Sequence, residues 1–199
     1  MSKHFYSVFE DETQLLRAIL SVHCGGADTF DADPFYFKGN FYKTIHEPDL
    51  VYDINPQYDF VKKCDVRDVW MQPGFNNLNS IILDPPFMFG SRKTQKEYYS
   101  SKTHTIFETF EKLEECYKNA LHSAKVGLKK GGVCVFKCQD FTDSKTTMTH
   151  CFVKEWAEEK GFYAKDLAIL VKPNKVYNGN LQQRHLRKVH TYFWVFVSQ

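Results

Sequence analysis

The sequence predicts an open α/β sheet with helices on both faces, and three observations predict it. Short apolar runs alternate with longer amphipathic ones along the chain. One of them, "VCVFKCQD", reads as apolar on both alternating faces, the pattern of a parallel strand buried between two helical layers. Finally, acids recur where strands are expected to stop: Asp33, Asp53, Asp65, Asp84 and Asp140. Ligands on such sheets bind at the carboxyl ends of the strands, so acids sharing that edge suggest a site more than unrelated turn caps.

Taken in order, "DETQLLRAILSVHC" reads as a helix, with Asp11 as N-cap, Gln14 three residues on, and Gly25 and Gly26 beyond its end. "DTFDADP" is a short strand, "LVYDINP" a strand ending at Asp53, and "DFVKKCDV" a segment leading to Asp65. "NSIILDPP" is a clear strand, and it must stop at two prolines that cannot donate to a ladder. In "HTIFETFEKLEECYKNALHSAKVGL", residues Ile106, Phe110, Leu113, Tyr117, Ala120, Leu121 and Ala124 form one helical face. Gly131 and Gly132 then precede the "VCVFKCQD" strand. "SKTTMTHCFVKEWAEEKG" is a helix with Gly161 after its end, and "FYAKDLAILV" and "HTYFWVFV" are the last two strands.

At 199 residues the chain is long enough to bury roughly 70% of its unfolded surface, and no Pro/Gly-rich linker divides it. Residues 1–199 therefore read as a single domain. A net charge of +2 does not by itself predict a polyanion partner, so the placement of charge matters more than its sum. No apolar stretch reaches membrane-span length and no signal-peptide core stands near the first residues, which predicts a cytoplasmic protein without a membrane partner. The six cysteines then read as reduced thiols, and without CxxC or HxxxH spacing no metal site is expected.

"DPPF", residues 84–87, resembles the [DNS]-P-P-[YFW] motif of amino-methyltransferases, which move a methyl group from S-adenosylmethionine to the exocyclic amine of a base. "DPFYFKGNF", residues 33–41, is similar to the DPF-x-G-x-G cofactor loop of the same superfamily. The order of cofactor loop, acid after the second strand, D-x-R, DPPF and "KKGGVCVFKCQD" also matches, and the resemblance covers most of residues 28–197. Small DNA methylases of phages and bacteria, which end in a segment like "QRHLRKVHTYFWVF", look nearest. The resemblance implies a Rossmann-like class I methyltransferase fold: seven strands, mostly parallel, with an antiparallel last strand. For a phage protein the location is the host cytoplasm. It implies methylation of adenine in DNA, since Asp at the first motif position leans toward adenine. The alternatives are RNA adenine methylation, DNA cytosine-N4 methylation, or a non-catalytic cofactor-binding subunit; the intact DPPF motif stands against the last.

The resemblance also assigns roles. Asp84 and the Pro85 carbonyl accept the two amine hydrogens, Pro85 and Pro86 fix the loop, and Phe87 stacks on the ring for about 1–3 kcal/mol. A base inside a duplex must first be flipped out. Asp53 takes the ribose hydroxyls, as acids do in dinucleotide folds, and Asp65 takes the cofactor's adenine amine with the Val66 N–H beside it. Asp33, Phe35 and the backbone around Gly39 belong to the cofactor loop, with Asp33 and that backbone at the methionine end. One departure stands out: the family often has Gly where this chain has Phe37, whose bulk narrows the pocket.

Two basic segments are expected to meet substrate. "MFGSRKTQKEYYSSKTH" interleaves Arg92, Lys93 and Lys96 with Tyr98 and Tyr99, and "KPNKVYNGNLQQRHLRKVH" carries Lys175, Arg184 and Arg187 without an acid. The roughly 110 residues after DPPF are mostly used by the sheet, leaving no room for a separate target-recognition domain. Recognition then falls to the two segments or to a second subunit, and a short target site is expected. A homodimer and an accessory subunit both stay open.

Overall fold

A computed structural model describes residues 4–90, 106–142, 145–172, 185–186 and 188–199. Its strands are β1 (Val8–Phe9), β2 (Ala32–Asp33), β3 (Leu50–Asp53), β4 (Lys62–Lys63), β5 (Leu78–Leu83), β6 (Leu128–Cys138), β7 (Phe141–Thr142), β8 (Thr146–Thr147), β9 (Phe162–Val171) and β10 (His190–Ser198). The helices are α1 (Glu12–His23), α2 (Phe110–Gly127) and α3 (Thr149–Glu159). Eight strands form one sheet in the order β1-β9-β10-β6-β5-β2-β3-β4, while β7 and β8 pair separately. All pairings in the large sheet are parallel except those of β10, which runs antiparallel to both β6 and β9. Without β1 the sheet is the expected Rossmann-like class I arrangement of seven strands.

The expected strand number is corrected by β1. Val8 and Phe9 pair with Ile169 and Leu170, and the Ile169 N–H donates to Ser7 O at 2.7 Å. Two residues are too few to show an alternating pattern, so the sequence gives no sign of this edge strand.

Period-two alternation sorts the buried side chains onto two faces. Ile81, Leu83, Cys134 and Phe136 pack with Leu113, Tyr117 and Leu121 of α2 and Val153 and Trp156 of α3. Ile82, Val133, Val135 and Phe193 pack with Leu15, Leu16 and Ile19 of α1. Each cluster is continuous, and the parallel pairing of the strands between them places the carboxyl ends of β2 through β6 along one edge.

Helix starts follow their caps. The Asp11 carboxylate accepts the Gln14 N–H at 2.8 Å, as its place before the apolar face predicts. The second helix begins at Phe110, later than its apolar pattern suggests, because the Thr109 hydroxyl accepts the Lys112 N–H there. The third begins at Thr149, because Thr146 and Thr147 pair with Phe141 and Thr142 instead of joining the helix. Strand β6 likewise starts before Gly131 and Gly132, with a register shift against β5 between Leu78 and Ser80. No helix among the described residues is long and apolar enough to cross a membrane.

Candidate functional site

The carboxyl edge of the sheet opens into a cavity of about 730 Å³, within the range of small-molecule sites. Asp33, Asp53, Asp65 and Asp84 all line it, each just beyond or at the end of its own strand. Phe35, Val66, Pro85, Pro86 and Phe87 line it as well. Thus nearly all the cofactor-loop, acid and DPPF residues singled out in the sequence share one space. Asp140 does not. It is buried, and its Oδ1 accepts the His150 ring Nδ1–H at 2.7 Å and the His150 N–H at 3.2 Å, tethering the first turn of α3.

The loop after β2 is built on Asp33. This carboxylate is buried; Oδ1 accepts the Phe35 N–H at 2.8 Å and Oδ2 accepts the Tyr42 hydroxyl at 2.7 Å. Desolvation pushes its pKa up to about 7, against the two hydrogen bonds, which work to lower it. Phe37 has a φ of 49°, a conformation that disfavours a side chain with Cβ. Glycine would suit that backbone better, so Phe37 holds it at a conformational cost. The Phe37 N–H donates to Asp53 Oδ2 at 2.9 Å, so the strained residue ties the β2 loop to the end of β3. Gly39 lies outside the cavity lining, with a φ of 61°; a Cβ there would collide with the Tyr36 ring.

Asp53 Oδ1 also accepts the Asn55 N–H at 2.7 Å, fixing the carboxylate at the cavity wall. Asp65 accepts the backbone N–H of Arg67 at 2.9 Å and its guanidinium at 2.8 Å. The side-chain bond to Arg67 holds the Asp65 carboxyl below its ordinary range, so it stays an acceptor. The Val66 carbonyl is taken by the Ser123 hydroxyl of α2 at 2.6 Å, which fixes this turn.

In the segment after β5, the Pro86 carbonyl accepts the Tyr117 hydroxyl at 3.1 Å. The Pro85 carbonyl accepts no hydrogen bond from another described residue. Phe87 keeps 37% of its surface exposed, enough to offer a ring face within the cavity. Asp84 keeps a third of its side chain exposed, and its Oδ2 lies 3.0 Å from Lys137 Nζ. Burial raises the Asp84 pKa, and Lys137 opposes that rise.

Lys137 is the residue that sequence reading missed. It sits in β6, 3.1 Å from Glu12 of α1, with its ammonium 4.6 Å from the centroid of the Phe41 ring. A charge inside a strand covered on both faces needs partners, and that rule was the available signal. Tyr117, read as part of an apolar helical face, aims its hydroxyl at the Pro86 carbonyl, and Tyr42, not singled out in the sequence, aims its own at Asp33.

The substrate-segment residues Arg92, Lys93, Lys96, Tyr98, Tyr99, Lys175, Arg184 and Arg187 lie outside the described residues. Their flanks are described and meet at the cavity. Phe89 and Phe107 form a bridge, and Met88 and Phe107 line the cavity. Lys172 donates its N–H to the Val189 carbonyl at 2.7 Å, and Lys172 and Thr191 line the cavity too.

A family model described as DNA methylase, for N6 and N4 methyltransferases, matches residues 78–199. No curated protein matches the sequence. Similar solved structures include TTHA0409 from Thermus thermophilus, described as a candidate DNA modification methylase. It is 14% identical, with a TM-score of 0.48, and the match covers 68% of this chain and 52% of that one. TrmN from Thermus thermophilus is 11% identical with a TM-score of 0.45, covering 93% of this chain and 48% of that one. A complex of M1.HpyAVI with SAM is 17% identical with a TM-score of 0.38, covering 68% and 52%. The chain spans about half the length of each of these structures.

Proposed function

This chain belongs to the DNA methylase family, and from that premise we propose that it methylates the exocyclic N6 amine of adenine in DNA, using S-adenosylmethionine. The observation that carries the proposal is the one cavity lined by Asp84-Pro85-Pro86-Phe87 together with Asp33, Asp53 and Asp65.

The residues present fit S-adenosylmethionine. Asp33 is a carboxylate for the cationic amine at the methionine end, Asp53 an acceptor for a ribose diol, and Asp65 an acceptor for an adenine amine. Bound there, the cofactor supplies a methyl group on a positively charged sulfur, so the leaving group needs no activation.

The chain's own work falls on the base. An adenine amine is a weak nucleophile because its lone pair is delocalised into the ring. Asp84 and the Pro85 carbonyl, accepting its two hydrogens, draw the nitrogen toward tetrahedral geometry and free that lone pair. The prolines hold the two acceptors on one short, rigid loop, and Phe87 stacks against the flipped ring. Catalysis is then mostly positioning and electrostatics. Asp84 is also the group that takes up the amine proton that must leave after transfer. The two basic segments, one with Arg92, Lys93 and Lys96 and the other with Lys175, Arg184 and Arg187, follow the cavity-lining residues Met88 and Lys172, which supports their use on the phosphate backbone. Residues 1–199 act as one methyltransferase domain, with a short target site read by these segments.

The test is transfer of methyl-labelled cofactor to unmodified DNA by the wild type and by Asp84→Ala. Label on DNA that the variant loses while still binding cofactor supports the proposal. Equal labelling by both proteins overturns the role of Asp84, and no labelling by the wild type overturns the reaction.

A further inference from the structure

Asp84 is one end of a short chain of alternating charges. Asp84, Lys137 and Glu12 come from the end of β5, from β6 and from the first turn of α1. Lys137 Nζ stands 3.0 Å from Asp84 Oδ2 and 3.1 Å from Glu12 Oε1. It is held laterally as well, 4.6 Å from the Phe41 centroid and 5.6 Å from that of Phe193, its antiparallel partner on β10. A lysine stem usually turns its charge toward water. This one is 19% exposed, with its ammonium committed between two carboxylates. Among the described residues, Asp84 Oδ1 has no hydrogen-bond partner.

We infer that Lys137 is the positioning residue for Asp84: it clamps Oδ2 as its cationic partner and leaves Oδ1 as the oxygen that accepts the amine hydrogen. Glu12 anchors the clamp from the opposite side and takes part of the lysine's charge. The inference rests on the proposed transfer reaction for its catalytic consequence, but the clamp is a property of the ligand-free protein.

The physical need is plain. Desolvation drives Asp84 toward its neutral acid, which would present a hydroxyl donor to the amine instead of an acceptor. The groups facing Asp84 are Lys137, Lys172, which favours the charged form, and Glu12, which opposes it. Asp33 from β2, Tyr42 from the following loop and Tyr117 from α2 complete its electrostatic surroundings. Of these, Lys137 alone among the described residues bonds the carboxylate. Burial works against the Lys137 ammonium, but Asp84 and Glu12 outweigh it and its pKa rises, so the clamp stays cationic.

The test compares Lys137→Met, Lys137→Arg and Glu12→Gln. Three readouts serve: cofactor affinity by calorimetry, kcat and KM for DNA across pH, and the Asp84 carboxyl titration by carbon-13 NMR without ligand. Lys137→Met is expected to lower kcat roughly 100-fold with KM and cofactor affinity held within about threefold. Its acid limb and the Asp84 titration should move to higher pH, and Lys137→Arg should restore most of both. Glu12→Gln should move the same limb and titration to lower pH, because the lysine then serves Asp84 alone. That opposite displacement decides the matter even if Lys137→Met does not fold. An Asp84 titration unmoved by Glu12→Gln, or a kcat loss matched by equal loss of cofactor affinity, overturns the clamp. If the wild type transfers no methyl, the reaction fails, while the NMR titration still judges the clamp.

Discussion

Replacing Asp33 by Asn tests how the cavity holds the cationic end of its cofactor. Burial raises the Asp33 pKa to about 7, whereas pairing with an ammonium requires the carboxylate. Binding therefore takes a proton off Asp33, and below pH 7 that deprotonation costs affinity. From pH 7.5 to 6 the dissociation constant of S-adenosylmethionine should rise roughly eightfold, or about 1.2 kcal/mol. This window lies below the ordinary range of an α-amino group, so the ligand keeps its own charge. Asp33→Asn keeps an oxygen acceptor but has no proton to release; its affinity should be weaker at pH 7.5 and nearly flat toward pH 6. Calorimetry in buffers of different ionisation enthalpy should find about half a proton released at pH 7 by the wild type and almost none by the variant. A wild-type affinity constant within twofold across this range, or the same slope in the variant, would refute the reasoning. The sign for stability follows from the same group. The folded state keeps a proton on Asp33 that the unfolded chain surrenders from pH 3.8 upward, so its contribution is fully present below that value and lost as pH rises to about 7. Melting should therefore show Asp33→Asn more stable than wild type at pH 8, an advantage absent near pH 4.

Two further predictions concern other parts of the site, and a third concerns the core behind it. Phe87→Ala should raise KM for DNA by the loss of about 1–3 kcal/mol of stacking, while Phe87→Trp should retain most of the affinity in steady-state assays. Tyr117→Phe removes the hydroxyl that holds the Pro86 carbonyl at 3.1 Å; kcat should fall with about 1 kcal/mol of stability, read by chemical denaturation. Gly127→Ala should cost about 1–3 kcal/mol in the same assay, because its Cβ would meet the Phe75 ring at 2.5 Å.

The parts of the fold legible in the sequence were those with a strong local signal. Strand β9 runs from Phe162 to Val171, as its apolar run suggests, and the Asp11 cap starts α1 where expected. Acids at strand ends were also legible, since an α/β sheet sends those ends to one edge. What escaped depends on tertiary contact. Val8 and Phe9 become a strand because β9 offers an edge, and Thr146 and Thr147 leave the helix pattern because Phe141 and Thr142 pair with them. Lys137 was hidden by its own strand, where one charge in an apolar run reads as noise until Asp84 and Glu12 are seen beside it. Asp140 shared the strand-end signature yet turned to His150, a choice made by the position of α3 and not by its local sequence.

The most direct test of the central claim is product identity. Unmodified DNA incubated with the purified protein and methyl-labelled S-adenosylmethionine is digested to nucleosides and read by mass spectrometry. The account predicts label in N6-methyldeoxyadenosine, abolished by Asp84→Ala. Label in N4-methyldeoxycytidine, or no labelled nucleoside at all, would contradict it.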